Sequence, residues 1–336
     1  MLMSEMEIAG WVERGGQRLL SEQIEEIVRE RPADLLQCGG EFFLAWGECR
    51  ARDHFGILQG DCPKGTLVCS GEVRGSIEPA VPDLPLEDAI ITAVRLRSDE
   101  GIVALSGGVD STLVARLAGR ECVAVGLEGS HDLRQARRAA DALGLACTPV
   151  TITPAGIEEA LPEVIRAIPK KDPLSTGIGL TQYFIARSAA EQGYRRIITG
   201  QGADEIFGGY VRYLETTTLG ADLERDFAGL EHQVARDQAV AALHGTYLSL
   251  PYVDCRVVRA ARAIPPGEKV KGGHRKVPLR VVAERHIPAE LAWYEKKAMQ
   301  YGSGVWKEFQ RLARKKGYKT SLQDYIDHIG RVDHGH

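Results

Sequence analysis

The sequence contains no apolar run approaching the roughly 18 residues that a membrane-crossing helix needs. Its first residues, Met1-Leu2-Met3-Ser4-Glu5, carry neither a basic region nor an apolar signal core. A cytoplasmic protein without membrane association is expected. The seven cysteines (Cys38, Cys49, Cys62, Cys69, Cys122, Cys147 and Cys255) are odd in number and include no C-x-x-C. Reduced thiols fit this better than a disulfide framework, and no pair has the spacing of metal ligands. Charge of one sign is also scarce. A formal net charge of −4 argues against broad binding to nucleic acid or anionic membrane. The phosphate-binding pattern G-x-x-x-x-G-K-[ST] is missing. What remains is ordinary globular composition, 44% hydrophobic and 26% charged over 336 residues, enough for one large or two moderate domains.

The most informative segment that is present is Ser106-Gly107-Gly108-Val109-Asp110-Ser111. It follows Gly101–Leu105, which reads as a buried strand, and precedes a helix over 111–119. Strand, glycine-rich loop and helix N-terminus make an anion site, because the first-turn amides lack intrahelical partners and the helix dipole favours negative charge. Ser106 and Ser111 add hydroxyl donors. Asp110 would repel phosphate unless it holds Mg²⁺. The alternative is a glycine-rich turn without a ligand.

Residues 1–80 read as a small, mainly β module with one helix near Ser21–Arg31 and strand-like pieces at Glu41–Trp46 and Thr66–Cys69. Pro79–Pro85, with three prolines in seven residues, reads as a linker. From 86 onward strands at 101–105, 122–127, 147–152 and 195–200 alternate with helices at 86–97, 111–119, 132–143, 155–168 and 179–192. A mainly helical remainder follows. This pattern predicts an α/β fold with a parallel sheet flanked by helices, whose ligands sit at the strands' carboxyl ends near a topological switch. The basic residues Lys269, Lys271, Arg275, Lys276, Lys296, Lys297, Arg311, Arg314, Lys315 and Lys316 read as solvated helix faces.

A second constellation, Gly200-Gln201-Gly202-Ala203-Asp204-Glu205-Ile206-Phe207-Gly208-Gly209-Tyr210, follows the strand at 195–200. Asp204 could share a Mg²⁺ with Asp110, or Asp204 and Glu205 could simply favour a helix start. With both loops in place, residues 86–306 resemble the synthetase domain of asparagine synthetase, within the ATP pyrophosphatases that cleave ATP to AMP and pyrophosphate. Ser106–Ser111 is similar to the family's pyrophosphate loop, Val125–Leu133 to its adenosine-binding segment, and Gly200–Tyr210 to its G-E-G-[SA]-D-E-x-F-G-G-Y. Leu250–Asp254 resembles V-P-F-L-D, and Trp293–Lys297 with Gly302–Trp306 resembles the segment around its catalytic lysine.

The resemblance implies an adenine nucleotide alpha hydrolase-like domain over 86–330. It also implies an AMP-forming ligase that activates a carboxylate, aspartate by default, and passes it to ammonia or an amine. ATP contacts are implied at Leu105, Ser106, Gly107, Gly108, Val109, Asp110, Ser111, Val125, Gly126, Leu127, Asp132, Gly200 and Gly202. Mg²⁺ is implied on Asp110 and Asp204, and catalytic roles at Lys296, Lys276 and position 201.

Gly40–Trp46 and Ala51–Ile57 are similar to stretches of the family's glutaminase domain. Residues 1–80 lack its N-terminal cysteine and half its length, so no glutaminase activity is expected. Nitrogen would come from free ammonia, a separate glutaminase or an amine. Gln201 stands where the family has a glutamate and cannot act as a base. Ser249 stands where it often has arginine, and Lys171–Gly179 lacks a placeable aspartate-binding arginine. Competing readings are a β-lactam-synthetase-like relative, a tRNA-modifying or other small-molecule-adenylating enzyme of the same superfamily, and a non-catalytic ATP-binding relative. A nucleic-acid partner is disfavoured and the oligomeric state is open.

Overall fold

The computed structural model describes residues 6–295 and 302–332. Internal contacts divide the chain into two units. One comprises Met1–Arg97, Gln201–Glu231 and Ser249–Lys276; the other comprises Ser98–Gly200, His232–Leu248 and Val277–His336.

The first unit carries a six-stranded sheet in the order β2-β1-β3-β4-β5-β6. Its strands are β1 (Glu7–Arg14), β2 (Gln17–Arg18), β3 (Gly39–Trp46), β4 (Cys49–Arg52), β5 (Thr66–Cys69) and β6 (Glu72–Ser76). Every pairing in it is antiparallel. Period-2 alternation sorts the two faces. Val12, Phe42, Leu44, Ala51 and Leu67 share a buried cluster with Ile24 and Val28 of the Ser21–Glu30 helix.

The intervening residues Trp11, Glu13 and Glu41 face the other way, into a polar network. Glu41 is fully buried and accepts hydrogen bonds from Trp11 Nε1 at 3.1 Å, Arg97 Nε at 2.8 Å, the Leu250 amide at 2.7 Å and the Ser249 hydroxyl. Arg97 also reaches Asp254 at 3.1 Å, and Arg256 pairs with Asp254 at 3.2 Å and Glu13 at 2.7 Å. Ser249 is thereby committed to a carboxylate that already holds Arg97, which gives a physical account of a small hydroxyl at that position. Arg52 and Asp53 organise the next turn. Arg52 donates to the Gly56 and Leu58 carbonyls, and Asp53 accepts from the Ile57 and Leu58 amides at 2.9 and 3.1 Å.

One expectation about cysteine is overturned. Cys49 and Cys69 lie directly opposite each other on β4 and β5, with Cα atoms 4.0 Å apart, and form a disulfide. An odd count cannot reveal a pair created by strand register. Cys38, Cys62, Cys122, Cys147 and Cys255 are free, and burial pushes the Cys122 thiol up to about 12.

The second unit is built on a five-stranded sheet in the order β11-β10-β7-β8-β9. Its strands are β7 (Ile102–Ala104), β8 (Cys122–Leu127), β9 (Cys147–Ile152), β10 (Arg196–Ile198) and β11 (Tyr247–Ser249). The pairings β10–β7, β7–β8 and β8–β9 are parallel, as the alternating pattern predicts. The chain moves from β7 outward to β9 and then returns to the opposite side of β7 as β10. The order therefore reverses between β7 and β10, the place where such sheets open a crevice at their carboxyl edge. Arg196, 1% exposed, locks β10 by pairing with Asp99 and Glu100 and by donating to Tyr247 Oη at 2.8 Å.

The helix expected at 179–192 instead runs from Pro173 to Glu191, with Asp172 capping the Ser175 amide at 2.8 Å. Gly177 and Gly179 lie in its early turns. In the fold they serve close packing, since a Cβ on Gly177 would lie 2.9 Å from Trp306 and one on Gly179 2.9 Å from Val164. The basic residues are not uniformly solvated. Lys269 and Lys276 are 5% and 7% exposed.

Candidate active site

In the second unit, the loop after β7 enters the helix Val109–Ala118 through Gly108, and no side chain caps that helix start. A helix start of this kind turns its first-turn amides and the positive end of its dipole toward an anion. The Ser111 hydroxyl lies 2.9 Å from the Ser106 hydroxyl and accepts from the Ser106 amide at 3.1 Å, closing the loop on itself. Gly107 has φ +73, and a Cβ there would sit 2.5 Å from the Gln135 carbonyl carbon and 2.8 Å from the Ala136 nitrogen. Only glycine lets this turn lie against the His131–Leu143 helix. Gly107→Ala is therefore expected to lower unfolding free energy by about 1–3 kcal/mol, from left-handed strain plus overpacking. Urea denaturation checks this, and an unchanged midpoint would show that the loop does not rest on that helix.

Gly200, at the end of β10, meets the same loop across the switch point. A Cβ on it would lie 2.9 Å from both the Asp110 Cβ and the Ser111 amide. Val125, Gly126 and Leu127 end the neighbouring β8, and Asp132 is buried in the first turn of the next helix. Residues far along the chain converge here. The Leu127 amide donates to Ser303 O at 2.9 Å, and Gly302 packs where a Cβ would fall 2.0 Å from Asp132 Oδ1. Tyr294 Oη lies 2.6 Å from His131 Nε2, and the two rings stack at 16°. Arg280 donates to the Ala292 and Tyr294 carbonyls at 2.7 and 3.1 Å and pairs with Glu295. Lys296 lies outside the described residues.

In the first unit, Gln201 and Gly202 lead into the short helix Ala203–Phe207. Lys276 Nζ sits 2.8 Å from Asp204 Oδ1. Lys276 is held at φ +57, a region that costs a non-glycine residue roughly 1–3 kcal/mol and clusters at functional sites. Gly209 makes the pair possible, since a Cβ there would overlap Asp204 Oδ1 at 1.7 Å and Lys276 Cε at 2.1 Å. Arg275 Nη1 donates to the Gly209 carbonyl at 2.7 Å, pinning the same turn. Asp204 keeps 44% of its side chain exposed, so the ion pair leaves part of the carboxylate open.

The contributions of Gly209, Arg275, His131 and Tyr294 were not assigned from sequence. Gly209, His131 and Tyr294 lie within the family-like segments and Arg275 within the basic run, but their contacts join segments far apart in the chain. A helix-capping role for Asp204 and Glu205 was the sequence's alternative. Both acids do lie in the first turn of the Ala203–Phe207 helix, and in addition Asp204 pairs with Lys276 while buried Glu205 accepts from the Tyr210 hydroxyl.

Residues 86–228 and 228–328 match the asparagine synthase family model. A putative glutamine-hydrolyzing asparagine synthetase of Methanocaldococcus jannaschii is 32% identical over 293 residues, covering 74% of this chain and 54% of the relative. Asparagine synthetase B of Escherichia coli is 25% identical over 303 residues, covering 83% and 52%. The carboxyethyl-arginine beta-lactam-synthase of Streptomyces clavuligerus is 30% identical over 265 residues, covering 76% and 48%. The chain thus spans about half the length of these curated relatives. With the family model matching most of its residues, the chain belongs to the asparagine synthase family.

Proposed function

We propose that the protein is an ATP-dependent ligase. A carboxylate oxygen attacks the α-phosphorus of ATP, the bond to the bridging oxygen breaks, and pyrophosphate leaves. An amine nitrogen then attacks the acyl carbon, loses a proton, and displaces AMP. The observation that carries this reading is the uncapped helix start beside Ser106 and Ser111, located where the order of the parallel sheet reverses.

The Val109–Ser111 amides and the two serines would hold the pyrophosphate oxygens, with the dipole of the helix favouring their charge. The carboxyl end of β8, Val125–Leu127, would receive the adenosine, and Asp132 and Gly200 would border it. Asp110 and the half-open Asp204 are hard oxygen donors suited to Mg²⁺, which would supply charge neutralisation on the phosphates. Among the described residues no cluster of three or more His, Cys, Asp or Glu side chains gathers as a cage. Lys276, strained and buried beside Asp204, and Lys296 would stabilise charge building on the transferring group.

Aspartate is the default acid and ammonia the default nitrogen source. The first cysteine of the sequence, Cys38, is fully buried with its thiol against the Asp34 carbonyl, and burial pushes it up to about 11. It is unsuited to be a glutaminase nucleophile.

Gln201 favours a second reading, in which the acid carries its own amine and an external base is dispensable. The test is Gln201→Glu. If a missing base limits transfer to ammonia, ammonium-dependent amide formation rises about a hundredfold, the low end of what a general base contributes. An unchanged rate with ammonium would favour the second reading.

A further inference from the structure

Five of the seven cysteines are free, and one pair, Cys49–Cys69, is joined. Burial pushes the thiols of Cys38 and Cys147 up to about 11 and those of Cys122 and Cys255 up to about 12, and it raises Cys62 as well. These five stay protonated near neutral pH, and a protonated thiol is a poor nucleophile that oxidises slowly. Sulfur chemistry is thereby left to the joined pair. A chain with five free thiols does not use disulfides as a framework, so the place of this bond in the fold decides what it does.

The bond lies at the rim of the six-stranded sheet. Cys49 opens β4 and Cys69 ends β5; both are half-buried, and the turns beside them, Gly47-Glu48 and Ser70-Gly71, are exposed. Sulfur in such a place is open to an outside thiolate, and exposed disulfides are the labile class. What the bond pins is weakly held otherwise. β5 and β6 form the outer hairpin of the sheet. β5 meets β4 over four residue pairs, and its ladder with β6 shifts register between Leu67 and Val68. Glu72, Val73, Arg74 and Ser76 of β6 are exposed. A segment with so few buried contacts opens before the rest of a fold does. Leu67 and Ile77, 3% and 1% exposed, keep the hairpin's far end in the core. The Ser70 amide and hydroxyl reach Glu48 at 2.9 and 2.6 Å, a tie between the two turns that does not depend on sulfur. The β4–β5 connection also touches the helix Leu219–Ala242, through Phe55 edge-on to Phe227 at 6.0 Å and Lys64 paired with Glu231 at 2.5 Å.

We propose that Cys49–Cys69 is a reversible thiol–disulfide exchange site for a dithiol reductant, pinning the β5–β6 hairpin when oxidised and releasing it when reduced. A thiolate of the reductant attacks one cysteine sulfur. The S–S bond breaks, and the other cysteine sulfur leaves with the electron pair and takes up a proton. The reductant's second thiolate then displaces the first cysteine from the mixed disulfide, and that sulfur is protonated in turn. Two electrons and two protons pass to the protein, and the dithiol leaves as its own disulfide. Exchange with an oxidised disulfide reverses both steps, and the Ser70–Glu48 tie keeps the two thiols near each other for it.

The experiment needs no nucleotide, so it stands apart from the ligase reading. The full chain is treated with dithiothreitol under native conditions. New thiols are trapped with iodoacetamide and located by mass spectrometry, and amide hydrogen exchange is compared with that of the untreated protein. Alkylation is expected at Cys49 and Cys69. Amides within 66–76 should exchange about tenfold faster or more once the cross-link is gone, while those of 98–200 keep their rates. Oxidised glutathione should restore the protection. The double variant Cys49→Ser, Cys69→Ser should show the fast exchange with or without reductant. A bond that resists dithiothreitol until the chain unfolds in urea would overturn the proposal. So would unchanged exchange within 66–76 after reduction, or an acceleration shared equally by 98–200, which would make the bond a staple of the whole fold.

Discussion

Glu41→Leu is expected to lower the unfolding free energy by about 3–5 kcal/mol, a large part of the 5–15 kcal/mol that holds a typical domain together. Leucine roughly fills the volume but leaves four donors without their acceptor: Trp11 Nε1, Arg97 Nε, the Ser249 hydroxyl and the Leu250 amide. Arg97 is 1% exposed and would lose the Glu41 carboxylate while still pairing with Asp254. Removing one member of a buried pair is costly because the remaining charge stays desolvated. Glu41→Gln should cost less, since one carbonyl oxygen still accepts. Urea unfolding followed by circular dichroism measures both variants. A loss below about 1 kcal/mol for Glu41→Leu would mean that the network relaxes or hydrates freely.

The second large effect concerns the carboxylates of the two glycine loops. Asp110→Asn and Asp204→Asn are each expected to slow pyrophosphate release a hundredfold or more; Asp110→Asn should change Tm little, whereas Asp204→Asn, which takes a counter-charge from buried Lys276, should lower Tm as well. That is the range seen when one preorganised charge-stabilising group is lost at a reacting centre. Asparagine keeps the shape and removes the charge that would hold Mg²⁺. Asp204→Asn carries an additional consequence. It leaves Lys276 strained at φ +57 without its counter-charge, so Lys276→Met in the same background should cost less than it does alone. Near-normal turnover in both single variants would remove the two carboxylates from the metal assignment.

The sequence made the architecture of the second unit legible because its signals are local. Cys122–Leu127 and Cys147–Ile152 are apolar runs flanked by periodic helices, and both strands form over those residues. Ser106–Ser111 announces its own geometry, because glycine and helix start lie within six positions. What the sequence hid depends on partners far away. Glu41 meets Arg97 and Leu250 across 56 and 209 positions. The Cys49–Cys69 bond follows from β4–β5 register, and the close packing of Gly177 against Trp306 joins positions far apart in the chain. Lys276 looked like one member of a basic surface run. Its place beside Asp204 depends on a glycine, Gly209, in a different segment of the chain.

The measurement that bears most directly on the central claim is product analysis. The protein is incubated with ATP, Mg²⁺ and ammonium, with and without L-aspartate, and AMP, ADP, phosphate and pyrophosphate are quantified. The ligase account predicts AMP and pyrophosphate in equal amounts, appearing only with a carboxylate acceptor, and asparagine if that acceptor is aspartate. ADP and phosphate as products would contradict it, and so would ATP left intact by folded protein across a panel of carboxylic acids.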